Sequence, residues 1–387
     1  MNPLARLGFL VAAACLFVPT LALAQAAPRA RDLGVPFEGT PGTLNAITDV
    51  PGVLVGQVTL VEGDGPHAIR TGLTAILPRA ELGYYPAATF VLNGDGELSG
   101  AAFANEFGAL RSPIMLTGTG SNGTVFNGVL KWSLRKFPDS PVYIPVVADT
   151  WDADLSDFTR FPITEAHVVA ALDGARGGPV AEGNVGGGTG MVWHEFKCGI
   201  GTASRVIDAD QGGYVVGVLV QANYGSRRIL RVAGVPVGAE VTDRMPEWRE
   251  PAPSPATAAE DDGSILIVVG TNAPVGPKML ESMARRAVLG LARNGSTASA
   301  MSGDFVIAFA TTPMPWPEKK PYVQSVEQLF FYAGDALYEA TVQATEEAII
   351  NALVAARDMT GKDGSKVCAL PHAALRDALR RHGRLMP

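Results

Sequence analysis

The sequence contains few charged residues and no run of Lys or Arg. Of its 387 residues, 18% are Asp, Glu, Lys or Arg, and the formal net charge is −7. A domain that binds nucleic acid usually carries a clustered basic surface, so the composition argues against a nucleic-acid partner. Hydrophobic residues make up 47% of the chain, which predicts a large buried core. The 44 glycines predict many tight turns and close backbone contacts.

Cysteine and histidine are also scarce. The five histidines form no cluster with the spacing of metal ligands, so we expect no metal site and no cofactor. Cys15 lies in the N-terminal segment, which leaves Cys198 and Cys368 for the rest of the chain. In an exported protein these two thiols could form a disulfide, although nothing around either residue indicates a disulfide framework.

Only the N-terminal segment contains a long apolar run. Arg6 precedes an apolar stretch at 8–18, and Pro19 interrupts it before Ala-Leu-Ala at 22–24. This order is typical of a secretory signal peptide cleaved after residue 24, and the run is short for a membrane anchor, which is the alternative. We therefore expect residues 1–24 to be removed. The mature protein should be periplasmic or secreted, with no membrane contact.

Apolar runs bounded by turn residues predict the strands, and longer periodic segments predict the helices. The predicted strands are 71–77, 89–92, 142–147, 214–220, 265–270 and 302–309. A short strand followed by a Gly/Thr/Ser/Asn loop is predicted within 114–130. Helices are predicted at 274–293, and over 326–358 in two pieces, the second with an apolar stripe opposite its charges.

The most informative stretch is Asp-Asp-Gly-Ser at 261–264. A proline-rich, acidic segment at 246–262 leads into it, and the apolar strand at 265–270 follows. Ser264 therefore sits where an exposed linker becomes a buried strand. We hypothesise that the chain cuts itself between Gly263 and Ser264, so that Ser264 becomes an N-terminal nucleophile whose own amine is the base. The alternative is an ordinary turn, since Asp-Gly-Ser is common in turns.

The rest of the sequence favours the self-cleavage hypothesis. No histidine lies near Ser264 in the chain, and no Gly-x-Ser-x-Gly motif is present. An N-terminal amine has an ordinary pKa of about 8, so it can accept the proton of the hydroxyl group. Asn223, at the end of a predicted strand, could donate a hydrogen bond to an oxyanion. Ser302 and Asp304 should share one face of a strand and could hold the amine.

Two loops have less specific chemistry. The segment at 148–155 contains Asp149 and Trp151 at the end of a predicted strand. An acidic loop with one large aromatic residue suits the recognition of an amine, and it equally suits a solvated turn with a packed Trp. The glycine-rich segment at 183–190 could allow main chain to approach main chain, or could expose N–H groups to an anion.

Several further motifs resemble one enzyme family. They are Ile-Thr-Asp-Val-Pro-Gly-Val at 47–53, Thr-Gly-Leu-Thr at 71–74, Gly-Asn-Val-Gly-Gly-Gly-Thr-Gly-Met at 183–191, Lys197, Gly-Ile-Gly-Thr-Ala-Ser at 199–204, Val-Gln-Ala-Asn at 220–223, Asp-Gly-Ser at 262–264, Ser-Gly-Asp at 302–304, Glu-Ala-Thr at 339–341 and Glu-Glu-Ala-Ile-Ile-Asn-Ala at 346–352. In this order, they resemble the self-processing serine peptidases known as L-aminopeptidase/D-esterases and β-peptidyl aminopeptidases.

The resemblance implies an α+β fold, a four-layer αββα sandwich like that of the N-terminal nucleophile hydrolases but with different connectivity. Self-cleavage would give fragments 25–263 and 264–387, which together form one domain and assemble as a homo-oligomer. The enzyme would release small N-terminal residues such as Ala, Gly, β-Ala or D-Ala from peptides, amides or esters through an acyl-enzyme. The resemblance does not decide whether the enzyme prefers α- or β-residues, or L- or D-residues.

The resemblance also assigns roles to particular residues. Ser264 corresponds to the nucleophile, Asn223 to the oxyanion donor, and Ser302 with Asp304 to the pair that holds the amine. Asp149 stands where the family usually has a Glu that binds the substrate's amino group, and Trp151 replaces a usual Tyr. The loop at 117–124 also departs from the family pattern.

Two alternatives belong to other functional classes. One is an acyltransferase of the same fold similar to ornithine acetyltransferases, which use a threonine nucleophile. The other is an exported binding protein without catalytic activity.

Overall fold

The computed structural model of this chain describes residues 28–249, 263–314 and 319–387. The expected signal peptide, and residues 250–262 of the predicted linker, lie outside the described residues. The described strands are β1 (Leu54–Glu62), β2 (Ile69–Leu77), β3 (Tyr85–Gly94), β4 (Ala109–Leu110), β5 (Ile114–Gly118), β6 (Val146–Thr150), β7 (Val192–Trp193), β8 (Phe196–Lys197), β9 (Ile200–Val206), β10 (Val215–Asn223), β11 (Gly263–Thr271), β12 (Ser302–Ala310), β13 (Met359–Thr360) and β14 (Lys366–Val367). The described α-helices are α1 (Ala101–Phe107), α2 (Asn122–Lys136), α3 (Glu165–Asp173), α4 (Val237–Glu240), α5 (Pro277–Arg293), α6 (Asp335–Val354) and α7 (His372–Arg381).

Two larger sheets form the centre of the fold. One has six strands in the order β4-β3-β12-β11-β10-β9, and the other has four in the order β1-β2-β5-β6. Within the six-stranded sheet, β11 and β12 run parallel, while β10 and β3 flank them antiparallel. Ser264 therefore begins a strand in the middle of the larger sheet.

The alternating side chains of β11 explain why this segment reads as an uninterrupted apolar run. Ile265, Ile267 and Val269 pack with the core residues of α5 and α6, whereas Leu266 and Val268 pack in the core between the two sheets. A strand buried on both faces has no polar positions in its alternation.

Helices cover the outer faces of both sheets. Helices α5 and α6 lie on the six-stranded sheet, and α2 and α3 lie on the four-stranded sheet. The layers are thus helix, sheet, sheet and helix, which confirms the α+β, four-layer αββα sandwich. Within the described ranges, no helix is both long enough and apolar enough to cross a membrane.

One predicted strand is displaced in the structure, and one helix was not predicted. The strand predicted at 142–147 is instead β6 (Val146–Thr150), because Pro145 has no N–H to donate and pairing with β5 begins after it. Asp149 therefore lies within a strand and not in the loop after it. Helix α2 was not predicted, since its glycines and polar residues read as a loop. Gly128 of α2 leaves room for α3, because a Cβ there would lie 2.8 Å from Val168.

The long helix near the C-terminus also differs. It is a single helix, α6, which begins at Asp335, whereas two pieces were predicted from residue 326. Its predicted charged face is partly buried: Glu347 is enclosed and paired with Arg31 and Arg205, each at 2.7 Å. The two ion pairs stabilise a buried carboxylate at a position that the sequence pattern assigns to solvent.

The glycine-rich segment at 183–190 permits close approach of main chain. A Cβ at Gly199 would lie 1.9 Å from the carbonyl oxygen of Gly183, and a Cβ at Gly188 would lie 2.4 Å from the nitrogen of Ile200. The segment consequently packs directly against the start of β9. The motif could allow close approach of main chain or expose N–H groups to an anion, and the structure shows the first of these.

Candidate active site

Ser264 lies between two neighbours at the start of the central strands. Across the antiparallel ladder it is opposite Asn223, the last residue of β10, and across the parallel ladder it is opposite Gly303 of β12. The Gly303 N–H donates to Ser264 Oγ over 3.2 Å. Ser264 and Asn223 are both buried, with 6% of each exposed. The hydroxyl group thereby accepts a hydrogen bond from the backbone of one neighbour, and the Ser264 side chain lies on the same face of the sheet as that of the other.

Gly263 occupies a position that no other residue can take without a shift of the backbone. Its φ is 154°, and a Cβ would lie 2.2 Å from Tyr224 Cα and 2.3 Å from the Asn223 carbonyl oxygen. Both atoms belong to the main chain, so a side chain on Gly263 would force β10 and β11 apart. The bond between Gly263 and Ser264 is therefore held tightly against the end of β10.

Ser302 and Asp304 form a hydrogen-bonded pair on one face of β12, as the alternation predicts. The Ser302 hydroxyl donates to Asp304 Oδ1 over 2.6 Å, and the Asn93 amide donates to Asp304 Oδ2 over 3.0 Å. The pair lies beside the Gly263–Ser264 peptide bond, since Ser302 is the register partner of Gly263. The carboxylate is buried and oriented by its two donors.

A backbone hydrogen bond sets the orientation of the Asn223 side chain. The Val192 N–H donates to Asn223 Oδ1 over 2.7 Å. With the oxygen held in this way, the Nδ2 end of the amide points away from Val192. Nδ2 forms no hydrogen bond with any residue that the structure describes, so it remains available to a group near Ser264.

A cavity of about 560 Å³ opens at this point, and Ser264, Gly263 and Asn223 line it. Four carboxylate residues also line it, and no lysine, arginine or histidine is among its described lining residues. The four are Asp95, Asp149, Asp154 and Glu195. An excess of carboxylates gives the cavity a negative potential, which favours a cationic group inside it.

Asp149 is the most enclosed of these carboxylates. Its Oδ1 accepts hydrogen bonds from Asn122 Nδ2 (2.7 Å) and from the Glu97 N–H (3.1 Å), and its Oδ2 accepts one from the Thr119 hydroxyl (2.6 Å). Three donors orient the carboxylate, and Oδ2 keeps a free lone pair for a further donor. Thr119 and Asn122, the latter at the start of α2, were not predicted to have this role.

Three exposed apolar side chains also line the cavity. They are Trp151, which is 43% exposed and donates from Nε1 to Asp154 Oδ1 over 3.1 Å, and Trp248 and Met301. Sequence reasoning missed Trp248 because it assigned 246–262 to a loose linker. Residue 247 in fact pairs with Lys366, with N–H···O distances of 2.8 and 2.9 Å, and this places Trp248 at the cavity.

Some buried titratable groups lie behind the site. Burial raises the pKa of the Asp152 carboxyl group to about 7 and lowers the pKa of the Lys197 ammonium group to about 7. Burial also lowers the pKa of His194 to about 4, so its imidazole is neutral at ordinary pH. Its Nδ1 is 2.6 Å from the Ser226 carbonyl oxygen.

Cysteines and possible metal ligands complete the titratable groups of the described chain. Cys198 and Cys368 are both free thiols, and Cys198 is buried. Among residues 28–249, 263–314 and 319–387, no group of three or more His, Cys, Asp and Glu side chains is arranged to hold a metal ion.

Comparison with known proteins gives consistent results. The model of peptidase family S58 matches residues 45–367. The β-peptidyl aminopeptidase BapA of Sphingosinicella xenopeptidilytica is 49% identical over 363 residues, which is 90% of each chain. That of Sphingosinicella microcystinivorans is 45% identical over 92% of this chain and 93% of the relative.

Solved structures agree with the sequence relatives. A β-aminopeptidase of Burkholderia sp. superposes with a TM-score of 0.82 at 44% identity, over 92% of this chain and 99% of that one. The L-aminopeptidase D-Ala-esterase/amidase of Ochrobactrum anthropi, a serine aminopeptidase with a variant of the Ntn hydrolase fold, superposes with a TM-score of 0.84. It is 40% identical over 92% of this chain and 99% of that one.

Proposed function

We propose that this chain, which belongs to peptidase family S58, matures by cutting itself between Gly263 and Ser264. It is a serine aminopeptidase of the N-terminal nucleophile type. The observation that carries the proposal is the position of Ser264. Ser264 follows a Gly263 that tolerates no Cβ, it is opposite Asn223 across the ladder, and it lines an acidic cavity.

In the proposed self-cleavage, Ser264 Oγ attacks the carbonyl carbon of Gly263. The C–N bond breaks, the nitrogen of Ser264 takes up the proton, and Gly263 is left as an ester on Oγ. Water then hydrolyses the ester, which releases the Gly263 carboxylate and frees both the hydroxyl and the amine of Ser264. Asn223 Nδ2 donates to the oxyanion that forms on the attacked carbonyl.

Turnover of a substrate repeats this chemistry with the new N-terminus. The Ser264 amine takes the proton of its own hydroxyl group as Oγ attacks the carbonyl carbon of the substrate's first residue. The proton then passes to the leaving amine or alcohol, and water hydrolyses the acyl-enzyme. Ser302 and Asp304 hold the Ser264 amine, a role supported by their hydrogen bond and by the pairing of Ser302 with Gly263.

The substrate class follows from the cavity. Asp149 binds the protonated amine of the substrate, and the other carboxylates add to the negative potential. The proposed substrates carry small N-terminal residues, namely Ala, Gly, β-Ala or D-Ala, as peptides, amides or esters. A cavity of about 560 Å³ has room for such a residue together with part of the group that leaves. Trp151, with Trp248 and Met301, contacts the part of the substrate that leaves.

We further propose that the enzyme is exported and works as a homo-oligomer of two-chain protomers. The fragments 25–263 and 264–387 stay together after the cut because β11 is paired with both β10 and β12. An exposed apolar surface between residues 322 and 332 is suited to contact a second copy. Its side chains are Tyr322, Val323, Val326, Phe330, Phe331 and Tyr332.

Intact-mass measurement of the purified mature protein tests the cut. Two fragments divided at Gly263 and Ser264 are expected, and Ser264→Ala should give one uncut chain. A wild-type protein that stays uncut would overturn self-processing. The cut protein is then assayed with p-nitroanilides of Ala, Gly, β-Ala and D-Ala, with Ser264→Ala as the inactive control. Release from none of these by cut protein would contradict the proposed substrate class.

A further inference from the structure

We propose that Lys197 is a positioning residue that strengthens the Asn223 oxyanion donor through the peptide group between Met191 and Val192. The inference rests on the role proposed above for Asn223. It concerns a residue with no place in the mechanism so far, which contacts neither Ser264 nor the cavity.

The geometry places a single peptide group between Lys197 and Asn223. Lys197 Nζ donates to the carbonyl oxygen of Met191 over 2.6 Å. The N–H of that same peptide group belongs to Val192, and it donates to Asn223 Oδ1 over 2.7 Å. In a trans peptide the C=O and the N–H point in opposite directions. The ammonium group and the Asn223 amide are therefore at the two ends of one polarisable unit.

The surroundings of Lys197 direct its charge toward this peptide group. The side chain is fully buried, and Nζ donates to two carbonyl oxygens, those of Met191 and Cys198 (2.7 Å). It forms no salt bridge with any residue in the described part of the chain. Burial of an ammonium group costs desolvation free energy. An apolar side chain of similar length could pack in the hairpin β7–β8 without that cost, so packing alone does not explain a lysine at this position.

Polarisation gives the cation a functional consequence. A cation at the carbonyl oxygen draws electron density away from the N–H, which makes Val192 a stronger donor to Asn223 Oδ1. The bond at Oδ1 in turn polarises the Asn223 amide, and its Nδ2 becomes a stronger donor to an oxyanion. Hydrogen bonds in a chain strengthen one another by roughly 10–30% each. The benefit appears only when the oxyanion forms, so it should affect kcat and not KM.

The test is a double-mutant cycle with Lys197→Met and Asn223→Ala, assayed on the p-nitroanilide that the wild-type protein hydrolyses best. The assay is run at pH 6, where Lys197 is mostly protonated although burial lowers its pKa to about 7. Lys197→Met should lower kcat about 5-fold, less than the about 10²–10³-fold expected for loss of the donor itself, with KM unchanged within about 2-fold. In the Asn223→Ala background the same substitution should change kcat by less than about 2-fold, because the residue it acts through is gone. Lys278→Met, at an exposed lysine on α5, is the matched control and should keep wild-type kcat.

Maturation provides a second readout. Each variant is checked for the Gly263/Ser264 cut by intact mass, since self-cleavage uses the same oxyanion donor. If Lys197→Met matures slowly, the rate of its cut replaces kcat in the cycle. If it does not fold, Lys197→Gln, which keeps a neutral donor, takes its place and should retain part of the rate.

The outcomes separate this inference from the proposed function. Equal losses of kcat in both backgrounds, or an unchanged kcat in Lys197→Met, would overturn the role of Lys197 and leave the self-processing aminopeptidase intact. If Asn223→Ala itself has wild-type kcat, the proposed oxyanion donor is wrong. A wild-type chain that neither cuts itself nor hydrolyses the panel removes the premise before the cycle begins.

Discussion

Asn223 and Ser264 are opposite each other across the antiparallel ladder of β10 and β11. Directly opposed residues have Cβ atoms about 4.5–5.5 Å apart, so the amide of one reaches groups attached to the hydroxyl oxygen of the other. The Val192 N–H holds Asn223 Oδ1, which leaves Nδ2 available as the proposed oxyanion donor. Strand register thereby places this amide next to Ser264, the proposed nucleophile.

We predict that Asn223→Ala lowers kcat by about 10²–10³-fold and leaves KM nearly unchanged, because the donor acts only on the charge that develops in the transition state. Steady-state kinetics of protein shown by intact mass to be fully cut would measure this. A kcat equal to that of the wild type would remove Asn223 from the role, and a raised KM alone would place it in substrate binding.

A second prediction concerns Gly263. A Cβ there meets backbone atoms of residues 223 and 224, which cannot move independently of the sheet. Gly263→Ala, made in the uncut Ser264→Ala background, should lower the free energy of unfolding by about 1–3 kcal/mol. In the chain with Ser264 intact, the same substitution should slow the cut, because β10 and β11 are forced apart at the attacked carbonyl.

Denaturant unfolding and a time course of intact mass measure these two effects. Gly177→Ala is the matched control, since a Cβ at Gly177 has nothing within 4 Å. Its unfolding free energy and its rate of cutting should be those of the parent. If Gly263→Ala is as stable as this control and is cut at the same rate, the close approach of Gly263 to the backbone of β10 contributes neither to stability nor to cleavage.

Much of the site could be predicted because it depends on local pattern. The position of Ser264 follows from a linker that meets an apolar run, and the sharing of one face by Ser302 and Asp304 follows from the two-residue repeat of a strand. The central strands were predicted for the same reason, since β11 and β12 are apolar on both faces.

The groups that support the site could not be predicted in this way. The hairpin that holds Asn223 turns through His194 and Glu195, with φ of 48° and 58°, where glycine or asparagine is usual. Arg227 stabilises the turn by donating to both of their carbonyl oxygens, over 3.0 and 2.7 Å. Such a turn leaves no local sequence signal, because its stability comes from a residue distant in the chain.

A third prediction tests Asp149 as the site of the substrate's amine. Asp149→Asn keeps the shape of the side chain and removes its charge. It should raise KM for aminoacyl p-nitroanilides by about 10-fold or more, because the substrate's ammonium group loses its ionic partner in a buried position. Kinetics with the matching acyl p-nitroanilides that lack the amino group serve as the comparison.

Those analogues have no ammonium group, so Asp149→Asn should change their hydrolysis little relative to wild type. Asp377→Asn, on the exposed face of α7, is the control for removal of one negative charge elsewhere. Equal effects of Asp149→Asn on both substrate sets would mean that the residue shapes the cavity and does not bind the amine.

The last prediction concerns the pH dependence of stability and the buried Asp152. Its carboxyl group is enclosed and accepts a hydrogen bond from the Thr71 hydroxyl over 2.5 Å, while burial raises its pKa to about 7. Between the unfolded pKa, near 4, and pH 7, the folded state binds more protons than the unfolded state. The free energy of unfolding therefore falls as pH rises through this window, by up to about 1.4 kcal/mol per pH unit from this group.

Asp152→Asn cannot ionise, so the variant should lose this pH dependence and be more stable than the wild type at pH 8. Denaturant unfolding of uncut Ser264→Ala protein, with and without Asp152→Asn, at pH 5, 6, 7 and 8 measures the difference. Burial also raises the pKa of Glu182 to about 7, but that group is present in both proteins and cancels in the comparison. Parallel pH profiles for the two proteins would mean that Asp152 is already ionised in the folded state throughout this range.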